Sequence, residues 1–304
     1  TTSCLMAPLG VLQGIYAKYY GLSLTTIASV LLLTRLFDAI SDPLVGYFAD
    51  RYYQRSGSYK PFILVGGLLF IVCGYFLYLP PVEVGAIYFT VWLFAFYFAW
   101  TLFEMPHLAW PSELAQTSET KTRIYTFRNM ASYSGWLLFY TIPLLPIFES
   151  RAITPETLKV LVLVVGILML PFFFLCLKTK FSSARQPKSS SQAQLRNGGA
   201  SVVAGQRAFV PFMVSLFKNK PLLIFIGAYL MISTSTGMWY GLIFLYVDAY
   251  LGLGDHYAKM FLIAFIIGFA ITPLWYKLSI WWGKKSTWVL GTILLIVSFI
   301  YTGF

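Results

Sequence analysis

The chain is built from long apolar runs separated by short polar connections, and that pattern constrains its fold more than any other feature. At ~1.5 Å of rise per residue, a run of about 20 residues crosses a hydrocarbon core of ~30 Å as a helix. Nine candidate spans follow, at roughly 2–21, 25–49, 61–80, 86–110, 125–148, 156–177, 221–247, 258–276 and 287–304. The alternating ten-residue segments that mark a membrane β-barrel are missing from this pattern. Composition points the same way. Apolar residues make up 58% of the chain and charged ones 11%, where a soluble domain carries about 25% charged residues. The expected fold class is an all-α membrane protein.

A net charge of +11 raises the question of nucleic acid, but the basic residues fall in alternate loops. One set comprises Arg51, Arg55 and Lys60, then Lys121 and Arg123, then eight residues from Lys178 to Lys220, then Lys277, Lys284 and Lys285. That is sixteen on one side, against Lys18, Arg151, Lys159 and Lys259 on the other. Such a bias is a topology signal, and it puts the N-terminus in the cytoplasm with no nucleic-acid partner. The three cysteines, Cys4, Cys73 and Cys176, sit inside apolar runs with neither metal-ligand spacing nor a pairing framework. The chain opens directly into a span without a basic leader, so no cleavable signal peptide is expected.

Segment 179–209 is the one long polar stretch, and its Ser-, Gln- and Gly-rich composition reads as a flexible linker. It divides the chain into a six-helix half (1–178), a basic cytoplasmic linker (179–220) and a three-helix segment (221–304). A weak repeat supports the division. DPLVGYFADRYYQRSGSYKPFILVG from Asp42 and TPLWYKLSIWWGKKSTWVLG from Thr272 both carry a Pro in a span, then a short basic loop with Gly, then a new span. Matching second spans imply two parallel repeats. On that reading the sequence is a fragment lacking three final spans.

Charged groups at membrane depth are the informative residues, because each costs about 2.5–3.5 kcal/mol at mid-span unless paired or hydrated. Arg35, Asp38 and Asp42 lie on the second span, Glu104 on the fourth and Arg128 on the fifth. The first three are spaced i, i+3 and i+7 and share one helix face. Asp38 and Asp42, one turn apart, repel in a low dielectric, and a cation between them relieves the repulsion. Glu104 adds a third carboxylate, and Thr101 lies one turn before it on the same face. An all-oxygen set of this kind suits a hard cation rather than a transition metal. The competing reading is an internal salt-bridge network, Arg35 with Asp38 and Arg128 with Glu104, in a receptor or channel. Three carboxylates face only two arginines, however, and an uncompensated acid inside a membrane marks an ion or proton path.

Glu104 sits in TLFEMPHLAWP, where Pro106 removes a backbone donor and loosens the helix. His107, one turn on, either lines a pore or sits at the interface. Lys18, near the end of the first span, can snorkel to the interface or face a solute path. Neither the two histidines nor the cysteines supply a nucleophile or metal set, so an enzyme is not expected.

RLFDAISDPLVGYFADRYYQRSGSYKPFIL, TLFEMPHLAWP and FRNMASYSGW together resemble the signatures of the glycoside–pentoside–hexuronide:cation symporters of the major facilitator superfamily. The resemblance covers the first six spans, and beyond them it rests on span pattern. It implies a major facilitator fold of two six-helix bundles that works by alternating access. Asp38, Asp42, Thr101 and Glu104 fall on the family's cation ligands, with sodium, lithium or a proton as the coupling ion and no other cofactor. Glu104 and Arg128 fall on its solute pocket, where Lys18 and His107 are further candidates. Asp50, Arg51 and Lys60 in DRYYQRSGSYKP resemble the superfamily's cytoplasmic gating motif. The implied solute is a sugar or glycoside, with a non-sugar solute such as a lysolipid as the alternative. The expected setting is a bilayer, as a monomer in a bacterial inner membrane.

Overall fold

The computed structural model describes residues 2–81, 84–114, 117–148, 150–178 and 219–302, and every regular element among them is helical. In chain order these are α1 (Thr2–Met6), α2 (Leu9–Tyr20), α3 (Leu24–Ser56), α4 (Lys60–Tyr78), α5 (Ala86–Leu114), α6 (Ser118–Thr141) and α7 (Pro155–Lys178). Then come α8 (Lys220–Leu245), a π-helical turn (Tyr246–Tyr250), α9 (Gly254–Trp281) and α10 (Lys284–Thr302). Among the described residues six helices are long and apolar enough to cross a membrane: α3, α4, α5, α8 with its π turn, α9 and α10. The helix α7 (Pro155–Lys178) stands where the sixth span is expected, whereas α6 (Ser118–Thr141) begins and ends earlier than the expected fifth span at 125–148.

The first expected span differs. It forms two helices with a break at Ala7–Pro8, because a proline has no N–H for the preceding turn and its ring crowds that turn's carbonyl. Elsewhere the boundaries follow local chemistry. The hydroxyl of Ser23 accepts from Thr26 N at 3.1 Å to start α3, and Gly57 ends that helix at a φ of 72°, a conformation that costs glycine nothing. Thr117 caps α6 in the same way through Thr120 N at 3.1 Å.

Two compact units result, Thr1–Thr179 with Phe244–Phe304, and Lys180–Ile243. In the first, α4 lies along α5 so closely that a Cβ on Gly66 would stand 2.6 Å from Phe103 N. Phe70 fills the crossing against Phe96 and Trp100, with ring centroids at 4.4 and 5.3 Å. Gly135 of α6 makes a similar approach to α1, where a Cβ would meet Cys4 N at 2.9 Å. Along α6 and α9 runs an aromatic ladder of Trp136 on Phe265 and Tyr140 on Phe261, stacked at 4.9 and 5.3 Å. The outer face of α3 exposes Leu32, Leu33, Leu36 and Ile40, a surface suited to lipid. Of the second unit the described residues, 219–243, belong almost wholly to α8, which exposes Ile224 and Met231. The expected linker, up to residue 218, lies outside the described residues.

Candidate functional site

The site is set by the register of α3 against α5. Arg35 reaches Tyr97 and Asp42 meets Thr101, sequence offsets of 62 and 59. Near-constant offsets mean that the two helices run parallel at matched depth. The stripe Arg35, Asp38, Asp42 therefore faces a second stripe, Tyr97, Thr101, Glu104, spaced i, i+4 and i+7. On the other side α6 runs antiparallel to α5, since Arg128 meets Glu104 and Tyr125 donates to Leu108 O at 2.9 Å.

Each acid has its own partner. Arg35 Nη1 donates to Asp38 Oδ2 at 3.3 Å, and Arg35 Nη2 donates to the Tyr97 hydroxyl at 2.8 Å. Arg128 Nη2 pairs with Glu104 Oε1, and its Nε donates to His107 Nδ1 at 3.4 Å. That bond requires a His107 ring whose Nδ1 is unprotonated. Phe103 stacks on the same ring at 5.3 Å. Asp42 makes no ion pair among the described residues, and its Oδ1 accepts from the Thr101 hydroxyl at 2.7 Å. Thr34, Thr101 and Ser41 around the aspartates are buried, at 0%, 2% and 5% exposed.

Asp38, Asp42 and Glu104 each engage a different partner in this structure. Among the described residues, no three His, Cys, Asp or Glu side chains stand together as a metal-holding group. Glu104 pairs with Arg128 and Asp38 with Arg35, as opposite charges attract. Both pairs belong to the competing salt-bridge reading. Two features exceed that reading. Asp42 is the acid without an arginine, and Asp38 Oδ1 is the buried side-chain oxygen that has no hydrogen-bond partner among the described residues. A bare buried carboxylate oxygen is costly and calls for an explanation. The donor set of Asp38 Oδ1, Asp42 and the Thr101 hydroxyl is all oxygen and suits a hard cation.

The remaining candidates sit elsewhere. Lys18 pairs with Asp248 at 3.2 Å, close to the turn into α3, and Asp42 lies eighteen residues further along that helix. At ~1.5 Å per residue the separation is about 27 Å. Asp50 Oδ1 accepts from the Tyr59 hydroxyl at 2.7 Å across the α3–α4 corner, where Tyr59 stacks on Tyr53 at 4.3 Å. Arg51 reaches the Tyr47 hydroxyl at 3.4 Å, and Lys60 opens α4 with its N–H bonded to Ser58 Oγ. Sequence reasoning missed Tyr97, although its i, i+4, i+7 spacing with Thr101 and Glu104 was there to be read. It also missed Asp248, whose pairing with Lys18 spans 230 residues and leaves no local signal.

The family model described as MFS/sugar transport protein matches residues 6–304. Among curated proteins, the chain is 27% identical over 198 residues to YagG of Escherichia coli K12, named as a glycoside/cation symporter, which takes in 62% of this chain and 43% of that protein. It is 25% identical over 147 residues to the symporter YnaJ of Bacillus subtilis 168, covering 47% of this chain and 32% of YnaJ. The inner membrane symporter YicJ of Escherichia coli K12 is 24% identical over 173 residues, with 54% and 37% covered. The chain thus spans less than half the length of these relatives.

Proposed function

We propose that this chain, which belongs to the MFS/sugar transport protein family, couples the entry of a cation to the movement of a small solute by alternating access. It is an integral membrane protein of that family, and the symporter names of its relatives support the coupling. The single observation that carries the reading is Asp42, held by Thr101 and without an arginine, beside the bare oxygen of Asp38. Asp38, Asp42 and Thr101 hold sodium, lithium or a proton. Its positive charge offsets the repulsion between the two aspartates and draws α3 toward α5.

Glu104 links the cation to the solute. It is engaged by Arg128, and a polar solute between α5 and α6 competes for both groups, with His107 at the edge of the same pocket. A sugar or glycoside fits such a pair of charged hydrogen-bonding groups, and the name of YagG agrees. A cation that tightens solute binding must itself be tightened by the solute to the same degree. Asp50, Arg51 and Lys60 form the basic corner that closes the cytoplasmic end, and two helical halves joined by 179–220 rock about the site. The protein works as a monomer in a bacterial inner membrane, with its N-terminus in the cytoplasm.

Solute uptake by the full-length protein in proteoliposomes, with and without a sodium gradient, tests the reading. We expect uptake to depend on sodium, lithium or protons, and D42N to lose that dependence. Unchanged cation dependence in D42N overturns the site. Absence of any solute movement would favour a receptor or channel held by the two salt bridges.

A further inference from the structure

Arginine and carboxylate usually meet through two parallel hydrogen bonds, because the guanidinium fork matches the spacing of the two oxygens. Arg35 and Asp38 do not. Only Nη1 donates to Asp38, through Oδ2 at 3.3 Å, while Nη2 is taken by the Tyr97 hydroxyl at 2.8 Å. The guanidinium carbon also lies 4.5 Å from the Tyr97 ring centroid, within cation–π range. The two side chains differ sharply in freedom. Tyr97 is 3% exposed and lies edge-on to Phe96 at 6.3 Å, whereas the Arg35 side chain is 63% exposed. The tyrosine is buried, and the exposed arginine is anchored to it. The oxygen that the second arm of the fork would cover, Oδ1 of Asp38, is buried and bare.

We propose that Tyr97 is a positioning residue of the cation site: it holds one arm of Arg35 and so keeps one oxygen of Asp38 open to the coupling cation. The inference rests on the reading of Asp38 as a cation ligand. Arg35 is itself a cation beside that ligand, and a two-armed grip on Asp38 would compete with the incoming ion. The Tyr97 hydroxyl limits Arg35 to one arm. Charge balance next to Asp38 is kept while the ligand oxygen stays free.

Y97F keeps the ring and its packing and removes only the acceptor for Nη2. In the full-length protein we expect it to raise the sodium concentration for half-maximal solute uptake about three- to tenfold, a fraction of one charge-assisted hydrogen bond. The solute concentration for half-maximal uptake, taken at saturating sodium, should stay unchanged. A merely structural role would move both or neither. R35K replaces the fork with a point charge, so in an R35K background Y97F should have no further effect. If D38N loses sodium dependence while Y97F leaves the sodium requirement where it was, the role of Tyr97 is overturned and the cation site stands. If D38N and D42N both keep full sodium dependence, the cation site itself fails. Should Y97F accumulate too poorly to assay, R35K alone decides. An unchanged or lowered sodium requirement supports the competing grip, and a raised one overturns it.

Discussion

The hydroxyl of Thr101 is the donor that Asp42 receives in place of an arginine, at 2.7 Å and with Thr101 2% exposed. Valine has the same shape without the hydroxyl, so T101V removes a ligand and a hydrogen bond to a charged group at almost constant volume. A bond of that kind is worth about 1.5–3 kcal/mol, and we expect the sodium requirement for uptake to rise about tenfold or more. Sodium titrations of uptake check this, with thermal stability in detergent as the control for folding. At this scale much was legible. The spacing of Arg35, Asp38 and Asp42 fixes one shared face from helix geometry alone. The partner of Glu104 was not legible to the same degree. Arg128 and a shared cation both satisfy charge counting, and the choice between them depends on how α6 is set against α5. That register arises from side-chain packing along both helices, which no local pattern encodes.

Among the elements, α4 and α5 set the frame into which Thr101 and Glu104 are fixed. They pack closely at Gly66, where an added Cβ would stand 2.6 Å from Phe103 N and 2.8 Å from the carbonyl carbon of Leu102. Backbone cannot yield as a side-chain tip does, so G66A forces the helices apart. Overpacking of this sort costs about 1–3 kcal/mol. We expect G66A to lower the thermal midpoint of the purified protein and to weaken solute uptake through the displaced α5. Gly46 on α3 has nothing within 4 Å of its Cβ position, so G46A should leave the midpoint unchanged or slightly raised. The helices themselves were readable from hydropathy, and the six long apolar ones stand where apolar runs place them. The first span was read as continuous because its composition is apolar throughout. Pro8, which lacks the N–H that a continuous helix needs, breaks it into α1 and α2.

For the molecule as a whole, the informative contact is the one between Lys18 and Asp248, 230 residues apart at 3.2 Å. It ties the end of α2 to the π turn after α8. Beside it, Ser150 donates to Asp255 at 3.0 Å, while at the far end of α6 Lys284 donates to Ser118 Oγ at 2.9 Å. On the proposed alternating access, opening at the Lys18 end would separate Lys18 from Asp248. The pair is partly exposed, with the Lys18 side chain at 53%, and such pairs are worth about 0.2–1 kcal/mol. That is too little to hold the fold together, but it is enough to bias two conformations of similar energy by about 1.4- to fivefold. K18E puts like charges at this contact and should favour the state open at that end. Access can be read by placing a cysteine at Ser41, next to the site and 5% exposed, in a protein whose Cys4, Cys73 and Cys176 are replaced by serine. We expect K18E to speed labelling by a membrane-impermeant maleimide from the Lys18 side about two- to fivefold, with little change in thermal midpoint. The swap K18E/D248K restores the attraction and should return the rate to that of the parent. Equal labelling rates in all three proteins would mean that the ion pair does not bear on access, leaving the aromatic ladder between α6 and α9 as the contact that a rocking motion must work against.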